Sequence, residues 1–290
     1  MAATVIDGKA IAAKVSAETR ERVSRLKQRG TCPCLAVVLV GENPASLSYV
    51  RGKQKALAEA GMESRDHRLC AAVSEAELLS LIASLNADSG VHGILVQLPL
   101  PEHIREGLVL GAIDPLKDVD CFHPVSLGRL LQGQNAFLPC TPQGILVLLD
   151  EMKIPVSGSH VVIVGRSNIV GKPLALLFAR RDYNATVTIC HTGTQDLASH
   201  TRRADILVAA AGKPGLIKAN MIKKSAAVID VGINRVPDPS AKKGYRLLGD
   251  VDFDEASEIA GWITPVPGGV GPMTIAMLMR NVVQAAEEKA

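Results

Sequence analysis

Tyr49 and Lys53 stand four residues apart in Ala45-Ser-Leu-Ser-Tyr-Val-Arg-Gly-Lys-Gln-Lys, a stretch of helical character, so a phenol and an amine share one face. Gln97 closes an apolar run, and Leu98-Pro-Leu-Pro101 after it turns the chain out of a sheet. Open α/β sheets bind ligands at the carboxyl ends of their strands, and the start of the helix bearing Tyr49 and Lys53 belongs along that edge. Amine, phenol and amide can therefore converge there; alone, a lysine on a helix reads as a solvated charge. Asp118 and Asp120 of Lys117-Asp-Val-Asp lie near a predicted domain boundary, where a ligand cleft is expected, with a solvated turn as the competing reading.

The run Val161-Val-Ile-Val-Gly-Arg-Ser-Asn-Ile-Val-Gly-Lys-Pro173 is a buried strand entering a glycine turn. Gly165 permits the turn, Arg166 adds a fixed positive charge, and the next helix aims free backbone N–H groups at a pyrophosphate. Gly165, Ser167 and Gly171 depart from G-x-G-x-x-G by the serine and by a one-residue shift of the third glycine, so an ordinary strand-to-helix turn stays open. A nucleophile elbow is disfavoured, because Ile169 stands where G-x-S-x-G needs glycine. Finally, Thr264-Pro-Val-Pro-Gly-Gly-Val-Gly-Pro-Met-Thr274 places three prolines and three glycines just before a helix. Such a loop is stiff and allows close backbone approach to a ligand; a hinge is the structural alternative.

The elements that must position these groups are legible as apolar runs at Leu35–Val40, Gly93–Gln97, Val161–Val164, Thr186–Ile189, Ile206–Ala210 and Ala226–Val231, alternating with helical patterns. That alternation predicts two α/β domains with parallel sheets. Ser74 and Glu77 form a capping box ahead of a stripe of Leu78, Leu81, Ile82 and Leu85, with Gly90 beyond the helix end. Pro115, Pro124, Gly133 and Pro139 mark the connection between domains, after which Thr141-Pro142 fits an N-cap and first helical position. The tail from Gly271 to Ala290 predicts a helix with Ile275, Met279, Val282 and Val283 on one face.

Composition narrows the function classes. With 290 residues, 47% hydrophobic, the chain suits one large or two medium domains. Its 32 basic and 29 acidic side chains differ by +3, too balanced for a nucleic-acid protein, and small anionic ligands fit better. No signal-like or membrane-spanning stretch is seen, so a soluble cytoplasmic protein is expected. The six cysteines form no C-x-x-C pair and read as free thiols, and the scattered histidines give a metal site little support; His191 reads as a strand-end residue.

Taken together and in order, Tyr49-x-x-x-Lys53, Val96-Gln-Leu-Pro-Leu-Pro101, Lys117-Asp-Val-Asp120, Gly165-Arg-Ser-x-x-Val-Gly-x-Pro173 and Pro265-Val-Pro-Gly-Gly-Val-Gly-Pro-Met-Thr274 closely resemble the methylenetetrahydrofolate dehydrogenase/methenyltetrahydrofolate cyclohydrolase (FolD) family over essentially the full length. The resemblance implies NADP-dependent oxidation of 5,10-methylenetetrahydrofolate, then hydrolysis of the methenyl product to 10-formyltetrahydrofolate, a homodimer, and a place in one-carbon metabolism. It implies a catalytic folate domain at residues 1–139, with a C-terminal helix at 271–290 returning to it, and a Rossmann-like NADP domain at 140–270. Lys53 is then the central catalytic residue, Tyr49 orients the folate, Gln97 holds the lysine and Asp120 binds the pterin. Val96, Leu98, Pro267, Gly268, Gly269, Val270 and Gly271 complete the substrate contacts. The cofactor contacts are Gly165, Arg166, Ser167, Thr192 and Ile233. Thr188-Ile-Cys-His-Thr192 carries no acid to engage a ribose 2′-hydroxyl, which favours NADP over NAD.

Two departures stand out. Many family members read Cys-His-Ser-Arg-Thr where this chain has Cys190-His-Thr-Gly-Thr194, which implies weaker NADP affinity. Cys121 replaces the glycine that commonly follows Asp-Val-Asp, adding a side chain beside Asp120. A dehydrogenase without hydrolase activity would not need the intact Tyr49, Lys53 and Gln97. A silent folate- or nucleotide-binding regulator would be expected to lose Lys53 or Asp120, and both are present.

Overall fold

The apolar runs become parallel strands, buried except for the edge strand at Thr186–Cys190, and the amphipathic stretches between them become the helices that cover the sheets. The computed structural model describes residues 2–134, 137–241 and 244–289, apart from the side chain of Ala45. The first half contains β1 (Thr4–Val5), α1 (Gly8–Gln28), β2 (Cys34–Val40), α2 (Pro44–Ala60), β3 (Glu63–Leu69), α3 (Glu75–Ala87), β4 (Gly93–Val96), α4 (Glu106–Gly111) and α5 (Pro124–Leu131). The second contains α6 (Cys140–Glu151), β5 (His160–Val164), α7 (Gly171–Ala179), β6 (Thr186–Cys190), α8 (Leu197–Thr201), β7 (Ile206–Ala209) and β8 (Ala227–Asp230). It ends with β9 (Asn234–Pro237), β10 (Tyr245–Leu248), α9 (Phe253–Ser257), β11 (Trp262–Ile263) and α10 (Val270–Glu287).

One compact unit comprises Ala13–Cys140 and Ile275–Ala290. Its sheet runs β3-β2-β4, all parallel, with β2 buried at all seven positions in the middle. Ser74 and Glu77 form the reciprocal cap of α3, at 3.2 Å to the Glu77 N–H and 3.0 Å from the Ser74 N–H. The cap contributes about 1 kcal/mol. Burial of Leu78, Ile82 and Leu85 at about 2 kcal/mol each is the larger effect, so packing on the sheet decides where α3 lies. At its far end Lys117 Nζ donates to the carbonyls of Leu85, Asn86 and Asp88 at 2.8, 2.8 and 2.6 Å. This lysine is a buried helix cap rather than a ligand group.

The other unit comprises Met1–Ala12 and Thr141–Thr274. Its six-stranded sheet runs β1-β11-β8-β7-β5-β6 with every pairing parallel, and β9 and β10 form a separate antiparallel pair. Strand order reverses between β5 and β7, the switch point at which an open α/β sheet offers a ligand crevice.

Three expectations change. The chain start, expected within the first domain, pairs through Thr4 and Val5 with Trp262 and Ile263, because β11 leaves a parallel edge open to it. Thr141 is not an N-cap: α6 begins at Cys140 and the Thr141 hydroxyl pairs with that of Thr274 at 2.9 Å. The helix α10 is buried more widely than the expected stripe, since Ala276, Met277, Leu278, Ala285 and Ala286 are buried with Met279, Val282 and Val283. Its expected end, Ala290, lies outside the described residues. Among the described residues no helix is long and apolar enough to cross a membrane.

Candidate functional site

In the first unit α2 begins just beyond β2, which carries Tyr49 and Lys53 along the carboxyl edge of the sheet. Gln97 reaches the same edge as the residue after β4, its N–H bonded to Val38 O at 2.8 Å. Lys53 is 7% exposed and its Nζ donates to Gln97 Oε1 at 3.1 Å; Gln97 Nε2 in turn donates to Leu98 O at 2.8 Å, which fixes the amide's orientation. Val96 is buried, Leu98 half-buried and Tyr49 exposed. Burial holds the Lys53 ammonium below its ordinary range, and the charge of Asp120 opposes that shift. The half-buried Asp120 thus shares the electrostatic environment of Lys53. Asp118 does not: buried, it accepts from the N–H groups of Phe122 and His123 at 3.0 and 2.9 Å and shapes the turn.

Sequence reasoning missed three side chains here. Cys140 is buried with its thiol 3.4 Å from Val119 O and in reach of the Asp120 carboxylate, and burial pushes the thiol well above its usual range. Asn281 Nδ2 donates to Val119 O and Leu138 O at 2.8 and 2.9 Å, pinning the segment that carries Asp120. Ser46 is buried beside Leu98 O at 3.5 Å, and its position seven residues before Lys53 on one helix was the available signal. Nothing in the sequence marks Cys140 or Asn281. Cys121, buried, adopts the left-handed backbone at φ 58°, which explains why this position suits glycine.

In the second unit β5 ends at Val164, and Gly165 follows at φ 139°, its N–H bonded to Cys190 O at 2.8 Å. A Cβ at Gly165 would run into Ala210 O, and one at Gly171 would run into Gly165 O, so the strand, turn and helix meet backbone on backbone. The segment from Arg166 to Ile169 is exposed above them. Ser167 Oγ caps the first turn of α7, accepting from Val170 and Gly171 at 3.1 and 3.3 Å. Thr192, beyond β6, is exposed beside His191, whose Nδ1 accepts from Gly193 N–H at 3.0 Å. These residues fit a dinucleotide: a glycine-tight turn, a helix N-terminus, and a cationic side chain that makes no ion pair among the described residues. Ile233 is 41% exposed just after β8.

The Pro265–Gly271 loop packs closely on the chain's own backbone. Gly268 sits at φ 115°, and a Cβ on Gly269 would come within 2.7 Å of Pro265 O and Thr264 Cβ. Gly268 O accepts from Lys9 N–H at 3.1 Å, so these two glycines let the loop approach the protein's own backbone. Val270 is buried and opens α10, while Pro267 is exposed and Gly271 half-buried.

A glycine turn at the switch point of a parallel sheet in one unit, and a buried lysine at the carboxyl edge of the sheet in the other, define a two-domain dinucleotide-binding α/β enzyme. The family pattern described as the tetrahydrofolate dehydrogenase/cyclohydrolase catalytic domain matches residues 6–120, and that family's NAD(P)-binding domain matches residues 139–290. The chain belongs to the tetrahydrofolate dehydrogenase/cyclohydrolase family. It is 58% identical to the bifunctional protein FolD of Moorella thermoacetica over 286 residues, covering 99% of each chain. The structure matches that of the bifunctional FolD from Campylobacter jejuni with a TM-score of 0.95 and 48% identity over 100% of both chains. It matches the Trypanosoma brucei FolD structure, complexed with NADP and an inhibitor, with a TM-score of 0.95 and 42% identity over 99% of this chain and 98% of that one.

Proposed function

We propose that the chain oxidises 5,10-methylenetetrahydrofolate with NADP and hydrolyses the 5,10-methenyl product to 10-formyltetrahydrofolate. The observation that carries the reading is the buried Lys53 amine, held by Gln97 and kept below the usual ammonium range. Water adding to the cationic methenyl carbon must lose a proton, and N5 must gain one as its bond to that carbon breaks. Neutral Lys53 takes the first water proton and its ammonium form delivers it to N5, while the remaining hydroxyl proton leaves to solvent as the formyl C=O forms, so one proton is released per turnover. Tyr49 orients the folate rings, Asp120 accepts from the pterin amino group and ring N–H, and Val96, Leu98 and Pro267 to Gly271 add contacts.

Bound NADP supplies the hydride acceptor for the first reaction. Gly165, Arg166 and Ser167 hold its phosphates, and Ile233 contacts it through backbone. Arg166 and the Thr192 hydroxyl take the 2′-phosphate; the missing acid after β6 supports NADP over NAD. Family resemblance alone supports a homodimer, expected to sediment at twice the 30.6 kDa chain mass, and a cytoplasmic location.

The test follows methenyltetrahydrofolate absorbance with NADP and with NAD, for the wild type and Lys53→Met. NADP is expected to drive methenyl formation, and the variant to lose hydrolysis. A wild type that neither forms nor consumes the methenyl species overturns the reading.

A further inference from the structure

Two carboxylates lie beneath the turns that close the second sheet, and nothing above assigns them a role. Asp250 is fully buried. Its Oδ2 accepts from the N–H groups of Ala211 and Gly212 at 2.6 and 2.8 Å, and its Oδ1 from Asn234 Nδ2 at 2.9 Å. Asp230, 3% exposed at the end of β8, accepts through Oδ1 from Gly232 N–H at 3.0 Å and Asp250 N–H at 2.9 Å, and through Oδ2 from Val251 N–H at 2.9 Å. Its own N–H donates to the buried Thr264 hydroxyl at 2.7 Å, immediately before the Pro265–Gly271 loop. Glycine at 232 and at 249 makes room for this, since a Cβ at the first would meet Asp250 Oδ1 and at the second Asp230 Oδ2.

We propose that the Asp230–Asp250 pair is a positioning device for the dinucleotide, fixing the Ala211–Gly212 turn after β7 and the Gly232–Asn234 turn that presents Ile233. The inference rests on the NADP reading above. Ala211 and Gly212 are exposed, so water would satisfy their N–H groups if the turn moved outward; the carboxylate is not needed to pair them. What it sets is where they sit. Ile233 is flanked on both sides by groups bonded to the pair, Gly232 N–H on Asp230 and Asn234 Nδ2 on Asp250. Burial pushes the Asp230 carboxyl up to about 6, with Asp250 adding to the shift and the N–H groups of Val251, Asp250 and Gly232 opposing it.

The test measures NADP binding by calorimetry and, separately, NADP-free methenyltetrahydrofolate hydrolysis, whose proton-transfer groups Lys53 and Gln97 lie in the other unit. For Asp250→Asn, NADP should bind roughly 10-fold or more weakly, because an amide N–H₂ or a single oxygen replaces a charged acceptor of three donors. Hydrolysis should stay within about twofold. Asn234→Ala removes one donor at a half-buried position and should weaken NADP several-fold; it decides the matter if Asp250→Asn does not fold. Unchanged NADP binding in the folded variants overturns the inference, as does a parallel loss of hydrolysis and melting temperature, which marks a merely structural pair. A wild type that binds no NADP overturns the functional reading and this inference together, whereas wild-type binding with unaltered variants overturns this inference alone.

Discussion

Lys53 Nζ donates to Gln97 Oε1 at 3.1 Å, and the Gln97 amide is locked in turn by its bond to Leu98 O. The lysine is therefore aimed by a neutral acceptor, which leaves its proton loosely held. Gln97→Glu keeps the side chain's length, gives up the donor to Leu98 O and places an anion beside the amine, and an opposite charge at that distance raises a lysine pKa. Hydrolysis near pH 7 should fall about tenfold, and the rising limb of its pH profile should move to higher pH. An unmoved profile measured by stopped-flow absorbance would refute the aiming role.

The same burial makes Lys53 a cost to the fold. Its folded pKa lies below the unfolded value, so the unfolded chain binds more protons and stability rises with pH across the window below that unfolded value. Lys53→Met should therefore be more stable than the wild type at pH 7, by about 1–2 kcal/mol after the loss at Gln97 Oε1. The gap should shrink as pH rises toward 10. Urea titrations at several pH values read this directly, and a variant less stable than the wild type at pH 7 would contradict it.

Lys117 shows the opposite balance. It is 2% exposed and spends all its donors on three carbonyls at the end of α3. Lys117→Met takes a charged donor from all three carbonyls, of which Asp88 O keeps a second bond, from Val91 N–H at 3.2 Å, and should cost about 2–4 kcal/mol in a denaturant melt. A loss below about 1 kcal/mol would show that water replaces the ammonium.

How much was legible follows from these residues. The strands β2, β4, β5, β6, β7 and β8 announce themselves as apolar runs, and Ser74 with Glu77 announces the start of α3. β3 does not, because Glu-Ser-Arg-Asp-His-Arg-Leu lies at the sheet edge, where charge guards the open backbone rather than packing in a core. β1 and β11 have two residues each, too short for any period to register. Lys53 and Gln97 were legible because one lies four residues after Tyr49 in a readable helix and the other directly follows a readable strand. Cys140, Asn281, Asp230 and Asp250 were not, because their roles come from partners distant in sequence that only the folded chain supplies.

Cys121 gives the last prediction. It is buried at φ 58°, its N–H bonded to Asp118 O at 3.0 Å, directly after Asp120. A left-handed backbone costs an L-residue about 1–2 kcal/mol, and burying its small thiol side chain returns about 1 kcal/mol. Cys121→Gly should therefore shift stability by no more than about 1 kcal/mol. Cys121→Val adds β-branching at the same backbone angle and should cost at least about 2 kcal/mol. It should also raise the folate KM, because strain there is relieved by moving the neighbouring Asp120. Thermal melts with methenyl hydrolysis kinetics separate the two variants. If valine proves as well tolerated as glycine, the turn at Cys121 is not held left-handed in solution.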